Sequence, residues 1–72
     1  MTNKEKMNIL EEVLDIEEDV LNEDTDLDQI SAWDSIAVIS TIAMFDSIFG
    51  KEISPEEVKH FKKVKDIIDR ME

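Results

Sequence analysis

Asp34-Ser35-Ile36 opens a stretch with no charged residue until Asp46, and it closes one of the most acidic segments of the chain. Residues 1–34 hold 12 Asp and Glu against 2 Lys, whereas residues 35–72 hold 7 against 6 Lys and Arg. Ser35 therefore stands where an acidic loop meets the start of an apolar helix. A hydroxyl there is a nucleophilic oxygen at the positive end of a helix dipole, close to N–H groups that favour a phosphate. No other position combines a nucleophile with that setting.

The remaining chemistry-bearing residues assemble into little else. His60 is the only His and there is no Cys, so neither a zinc site nor a catalytic triad can be built, and no disulfide is available. Asp24-Thr25-Asp26-Leu27-Asp28 matches the first ligands of a calcium loop. Its sixth position is Gln29 where the sharp turn needs Gly, and its twelfth is Ser35 where a bidentate Glu is needed. It reads as a solvated acidic loop, and no metal site is assigned. With no acid, base and nucleophile converging in one cleft, an enzyme is not expected.

The formal charge of −11 argues against nucleic acid as a partner and favours basic docking surfaces. Lys59, Lys62, Lys63 and Lys65 form a small basic cluster that reads as a solvated helix face. No apolar run approaches the ~18 residues of a membrane span. A single domain over residues 1–72 is expected, cytoplasmic and monomeric, with a thin core worth ~3–5 kcal/mol of net stability.

Helical periodicity positions these residues. Thr2-Asn3-Lys4-Glu5 has the form of a capping box, and Met7, Leu10, Val13 and Leu14 follow on one face, which predicts a first helix over about 3–15. Residues 16–34 form a long acidic connection, of a length that is uncommon unless it is functional or carries a short helical turn of its own, and its apolar residues Ile16, Val20, Leu21, Leu27 and Ile30 are expected to plug the core. A second helix is predicted from Ser35 to Phe49, with Gly50 as its left-handed cap. Ser54-Pro55-Glu56-Glu57 starts a short third helix ending near Phe61, and Val64, Ile67, Ile68 and Met71 mark a fourth. Met7, Met44 and Met71 fall at core spacing and read as gap-fillers. The fold class is all-α, a small bundle of three main helices and one short one.

The second helix is apolar on more than one face. Val38, Ile42, Phe45 and Phe49 form a stripe read as core. Ile36, Ile39 and Ala43, with Ser40 and Ser47 beside them and Asp46 as the lone acid, lie across the helix; part of this surface is read as a docking face, because a domain this small can hardly bury a helix all round, the alternative being that the 16–34 connection covers it.

The Asp34-Ser35-Ile36 tripeptide, Ser54-Pro55-Glu56-Glu57-Val58 nineteen residues beyond its Ser, the Gly-Lys-Glu-Ile turn at 50–53 and the final Val64, Ile67, Ile68 stripe resemble the acyl carrier proteins. The resemblance covers essentially the whole chain. It implies that Ser35 carries 4′-phosphopantetheine as a phosphodiester, installed from coenzyme A by a phosphopantetheinyl transferase with Mg²⁺. Asp34 is then the motif neighbour whose carboxylate helps place the ion or a basic transferase residue. It also implies that acyl or aminoacyl intermediates ride as thioesters on the arm, loaded by a ligase or acyltransferase and passed to downstream synthases.

Three features depart from the fatty-acid members of that family. Ile36 stands for the usual Leu, Trp33 occupies a place usually held by a small residue, and the second helix lacks the usual Glu residues. The Gly-Gly that precedes the Ser of peptidyl carriers is absent too. That absence counts against the peptidyl subclass, the scarcity of acids on the second helix points to a dedicated pathway, and a free-standing carrier serving a specialised pathway is expected. The rival reading is an acidic helical interaction module with no prosthetic group.

Overall fold

Thr2 opens the first helix by accepting the Glu5 amide on its hydroxyl at 3.1 Å, while the Glu5 carboxylate accepts the Thr2 amide at 2.9 Å. The computed structural model describes residues 1–71. Its elements are α1 (Asn3–Val13), a 3-10 turn (Leu27–Gln29), α2 (Ser35–Phe49), α3 (Pro55–His60) and α4 (Val64–Arg70). Four helices and no strand among the described residues make the bundle that the periodicity predicts. α1 packs on α2 and α4, and α2 packs on α3.

α1 stops two residues short of the expected end. The amides of Leu14 and Ile16 close onto the carbonyls of Leu10 and Glu11, and Asp15 turns left-handed with φ 57°. Asp is among the few residues that tolerate that conformation, so the helix ends without a glycine. α2 ends as predicted, with Gly50 left-handed at φ 64°.

The long connection is stitched down rather than merely plugged in. The amides of Leu27, Val64 and Lys65 donate to the carbonyls of Lys62, Thr25 and Glu23 at 2.8, 3.0 and 3.1 Å. Lys63 Nζ adds an ion pair to Asp26 at 2.8 Å, so this member of the basic cluster is tied to the loop instead of standing free in solvent. Asp66 accepts the Lys62 and Lys63 amides at 2.9 and 3.0 Å and so caps α4.

Leu21 and Leu27 enter the core, with Ile16 and Ile30 half-buried against it. Val20 does not: it is 56% exposed. The backbone around it is held by Glu11, a fully buried carboxylate on α1 that accepts the amides of Asp19 at 3.0 Å and Leu21 at 2.8 Å. The Val20 amide is turned to the same carboxylate, so this segment is held by its backbone while the Val20 side chain stays in solvent.

The inward face of α2 also differs from the expected stripe. Ala37, Thr41, Met44 and Phe45 are buried, while Val38, Ile42 and Phe49 form a half-buried flank. Phe45 alone belongs to both sets. Thr41 is completely buried, and its hydroxyl has no hydrogen-bond partner among the described residues.

Candidate functional site

Ser35 sits where the tethered loop runs into α2. The Trp33 amide closes a turn onto the Ile30 carbonyl at 3.0 Å, just after the 3-10 turn whose Leu27 is anchored in the core. Asp34 then adopts an extended conformation, and its Oδ1 accepts the Ala37 amide at 2.9 Å while its carbonyl accepts the Val38 amide at 3.0 Å. That is the capping arrangement of a helix start. It leaves the amides of Ser35 and Ile36 with no acceptor inside the helix. Because Asp34 does the capping, the exposed Ser35 hydroxyl is not consumed by it.

Two grooves flank this helix start. On the α1 side, Asp15 and Asp34 stand among Val13, Ala32, Ile36 and Ser40, with no cationic side chain in the lining. On the α3 side, Ser35 itself borders the groove with Trp33, Asp34, Val38, Ile39 and Lys59. Trp33 is half-buried and packs on the core, so loop packing and contact with the Ser35 groove coexist in one side chain.

Ile36 and Ile39 are 73% and 67% exposed, and Ala43 and Asp46 are exposed as well. At spacings of three and four they form one continuous stripe on α2. Ser40 leaves that group: it is half-buried in the acidic groove on the α1 side. Asp46 and Ala43 border a further groove with Lys51 and Glu52 from the turn after α2.

In the acidic loop, the Asp26 carboxylate at the third position of the calcium-like motif is engaged by Lys63, which also donates to the Asp24 carbonyl at 3.4 Å. Among the described residues no group of three or more His, Asp or Glu is placed to hold a metal ion. His60 is exposed on α3. No helix is long and apolar enough to cross a membrane.

Glu11 and Lys59 are the residues that pattern reading missed. Glu11 carries a readable signal, since it falls four residues after Met7 and three before Leu14, on the inward spacing of α1. Burial pushes its carboxyl up, but hydrogen bonds from the Leu21 amide, the Asn8 side chain and the Asp19 amide outweigh this and hold it below the usual range. Lys59 carries no such signal, because its nearness to Ser35 arises only from the packing of α3 on α2.

A helix start with free amides, an uncommitted hydroxyl and an adjoining groove fits a covalently held phosphodiester. A family model for the phosphopantetheine attachment site matches residues 7–71, nearly the whole chain. The chain belongs to the acyl carrier protein family, whose prosthetic group is 4′-phosphopantetheine. It is 30% identical over 69 residues to the acyl carrier protein of Coprothermobacter proteolyticus, a match that covers 96% of this chain and 84% of that one. No solved structure matches the chain.

Proposed function

We propose that Ser35 is the attachment point of 4′-phosphopantetheine, and that the chain is a non-catalytic carrier of acyl or aminoacyl intermediates in a specialised pathway. The supporting observation is the division of labour between neighbours. Asp34 caps α2, which leaves the Ser35 hydroxyl exposed and free to react beside the open amides of the first turn. The other serines lack that combination. Ser54 is exposed at a helix start but accepts the Glu57 amide at 3.2 Å, Ser40 is half-buried, and Ser31 and Ser47 are not at a helix start.

The modification balances simply. Ser35 Oγ forms a new bond to the phosphorus that bears the pantetheine of coenzyme A, the pyrophosphate linkage breaks, and the nucleotide half leaves. The Ser35 proton passes to the phosphopantetheinyl transferase, which brings Mg²⁺. The first-turn amides and the α2 dipole stabilise the resulting negative charge. The installed group supplies a terminal thiol that holds the cargo as a thioester. The chain's own residues then supply presentation alone, raising the effective concentration of cargo at each partner's active site.

Partner enzymes, namely the transferase, a loading ligase or acyltransferase and downstream synthases, are gripped along Ile36, Ile39, Ala43 and Asp46, with Ser40 at the margin. A stripe with one acid among exposed apolar side chains suits partners other than those that read a Glu-studded helix. That contrast is the basis for assigning a specialised pathway.

Intact mass measured after incubation with coenzyme A, Mg²⁺ and a broad-specificity transferase tests the site. One phosphopantetheine is expected on the wild type and none on Ser35→Ala. An adduct on Ser35→Ala overturns the assignment, and an unmodified wild type favours the interaction module without a prosthetic group.

A further inference from the structure

Resting on Ser35 as the attachment point, we propose that Lys59 pairs with the phosphodiester at Ser35 and so lays the arm along the α3-side groove over Trp33, Val38 and Ile39.

The two grooves beside Ser35 differ in charge, and this decides between them. A phosphodiester is anionic at all physiological pH. On the α1 side it meets Asp15 and Asp34 with no cation in the lining. On the α3 side it meets Lys59, and Asp34 is the only acid there. Lys59 is also available. Lys63 is paired with Asp26, and Lys51 donates to the Arg70 carbonyl at 2.8 Å, but Lys59 has no ion-pair partner among the described residues. It is a cation without an opposite charge in a chain that carries 19 acids against 8 bases.

The rest of the groove suits the rest of the arm. Beyond its phosphate the pantetheine begins with a branched dimethyl carbon, and apolar carbon is best placed on apolar surface. Trp33 offers an indole, Val38 is half-buried, and Ile39 is 67% exposed. Lys59 fixes the charged end beside α3 while these three receive the carbon behind it. The departures at Trp33 and in the charge of α2 then have one common use. The docked arm covers part of the apolar surface near Ile39, and a partner gripping that stripe competes with the resting contact.

The test uses the modified full chain. Nuclear Overhauser contacts from the two geminal methyls of the arm to the Trp33 indole and the Val38 methyls are measured in wild type, Lys59→Glu, Lys59→Arg and a Lys62→Glu control. Exposed charge pairs shift populations by only a few fold, so replacing attraction by repulsion is expected to weaken these contacts about fivefold in Lys59→Glu. Lys59→Arg and Lys62→Glu should keep them. Since Lys59 is exposed, far-ultraviolet circular dichroism should be unchanged in every variant. Contacts to Val13, Ala32 or Ile36 instead would place the arm in the acidic groove and overturn the proposal, as would contacts that persist undiminished in Lys59→Glu or are absent in wild type. Mass spectrometry keeps the two readings apart. Absence of an adduct at Ser35 removes the attachment site and this assignment together, whereas an adduct with contacts indifferent to Lys59 removes this assignment alone.

Discussion

Replacing Glu11 by Gln changes one oxygen for an amide and leaves shape and volume nearly intact. Its effect should nevertheless be large. Oε1 of Glu11 accepts Asn8 Nδ2 at 2.8 Å and the Asp19 amide at 3.0 Å, and Oε2 accepts the buried Leu21 amide at 2.8 Å. A Gln can keep one of these oxygens, and its NH₂ then faces an N–H. Hydrogen bonds to a charged acceptor contribute ~1.5–3 kcal/mol, and a buried donor left unpaired costs ~1–3 kcal/mol. A loss of about 2–4 kcal/mol is therefore expected, against ~3–5 kcal/mol for a whole domain of this size. With a urea slope of ~1 kcal/mol per molar for so small a chain, the midpoint should fall by about 2 M or more. The deficit should also depend on pH with a definite sign. The folded state holds the Glu11 carboxyl below its usual range, so the unfolded chain binds that proton more readily. Glu11 stabilisation is thus complete above the unfolded pKa of ~4.3 and is lost as pH falls through the lower folded value. Urea titrations of both proteins followed by circular dichroism at pH 7 and near pH 3 should show the gap narrowing in acid. All other carboxylates are common to the two proteins and cancel in the difference. Equal midpoints at pH 7, or a gap of the same size at both pH values, would refute the role assigned to Glu11.

Two further substitutions probe opposite sides of α2. Ile39→Asp places a charge at a site already 67% exposed, so it should fold with a stability change of only tenths of a kcal/mol from helix propensity. It should also slow modification by the transferase or loading by the cognate ligase at least severalfold; unaltered rates in a folded variant would move the docking face elsewhere. Thr41→Val removes a buried hydroxyl that has no partner while keeping the side chain's shape, and it should raise stability by ~1 kcal/mol, read from the urea midpoint. A Thr41→Val protein less stable than wild type would mean that the hydroxyl has a use in the fold.

Local chemistry was readable in this chain wherever a residue acts on its own neighbours. Thr2 with Glu5, Ser54 with Pro55, and Gly50 each place a helix end within a residue or two, because caps act within one turn. Asp34 and Ser35 belong to the same class, and so the helix start beside the nucleophile could be placed from sequence. The errors share a different origin. Neither Thr41 nor Glu11 belongs to an apolar pattern, yet packing puts both inside: Thr41 lies on the buried face of α2 with Ala37, Met44 and Phe45 while Val38 and Ile42 form its flank, and Glu11 holds the backbone on either side of the exposed Val20. Lys63 was read as one of four solvated cations because its partner Asp26 lies 37 positions away. The contact of Lys59 with the Ser35 groove is of the same kind, set by two helices meeting and by no periodicity within either.

The apolar surplus of α2 has a physical consequence for how this carrier meets its partners. Ala37, Thr41, Met44 and Phe45 fill the core, and Val38, Ile42 and Phe49 cover the flank. Of the apolar residues that remain exposed, Ile48 stands apart, and Ile36, Ile39 and Ala43 form a stripe that has only Asp46 for charge. Burial of that stripe by a partner is driven by removing apolar area from water, a short-range force that salt barely screens. The 12 acids of residues 1–34 act differently, since their summed field reaches beyond contact and steers a basic surface toward the domain. Steering and gripping are thereby divided between the connection and α2. Ser35 stands at the junction of the two, so a partner drawn in by the acidic half arrives where the proposed attachment site and the apolar stripe begin.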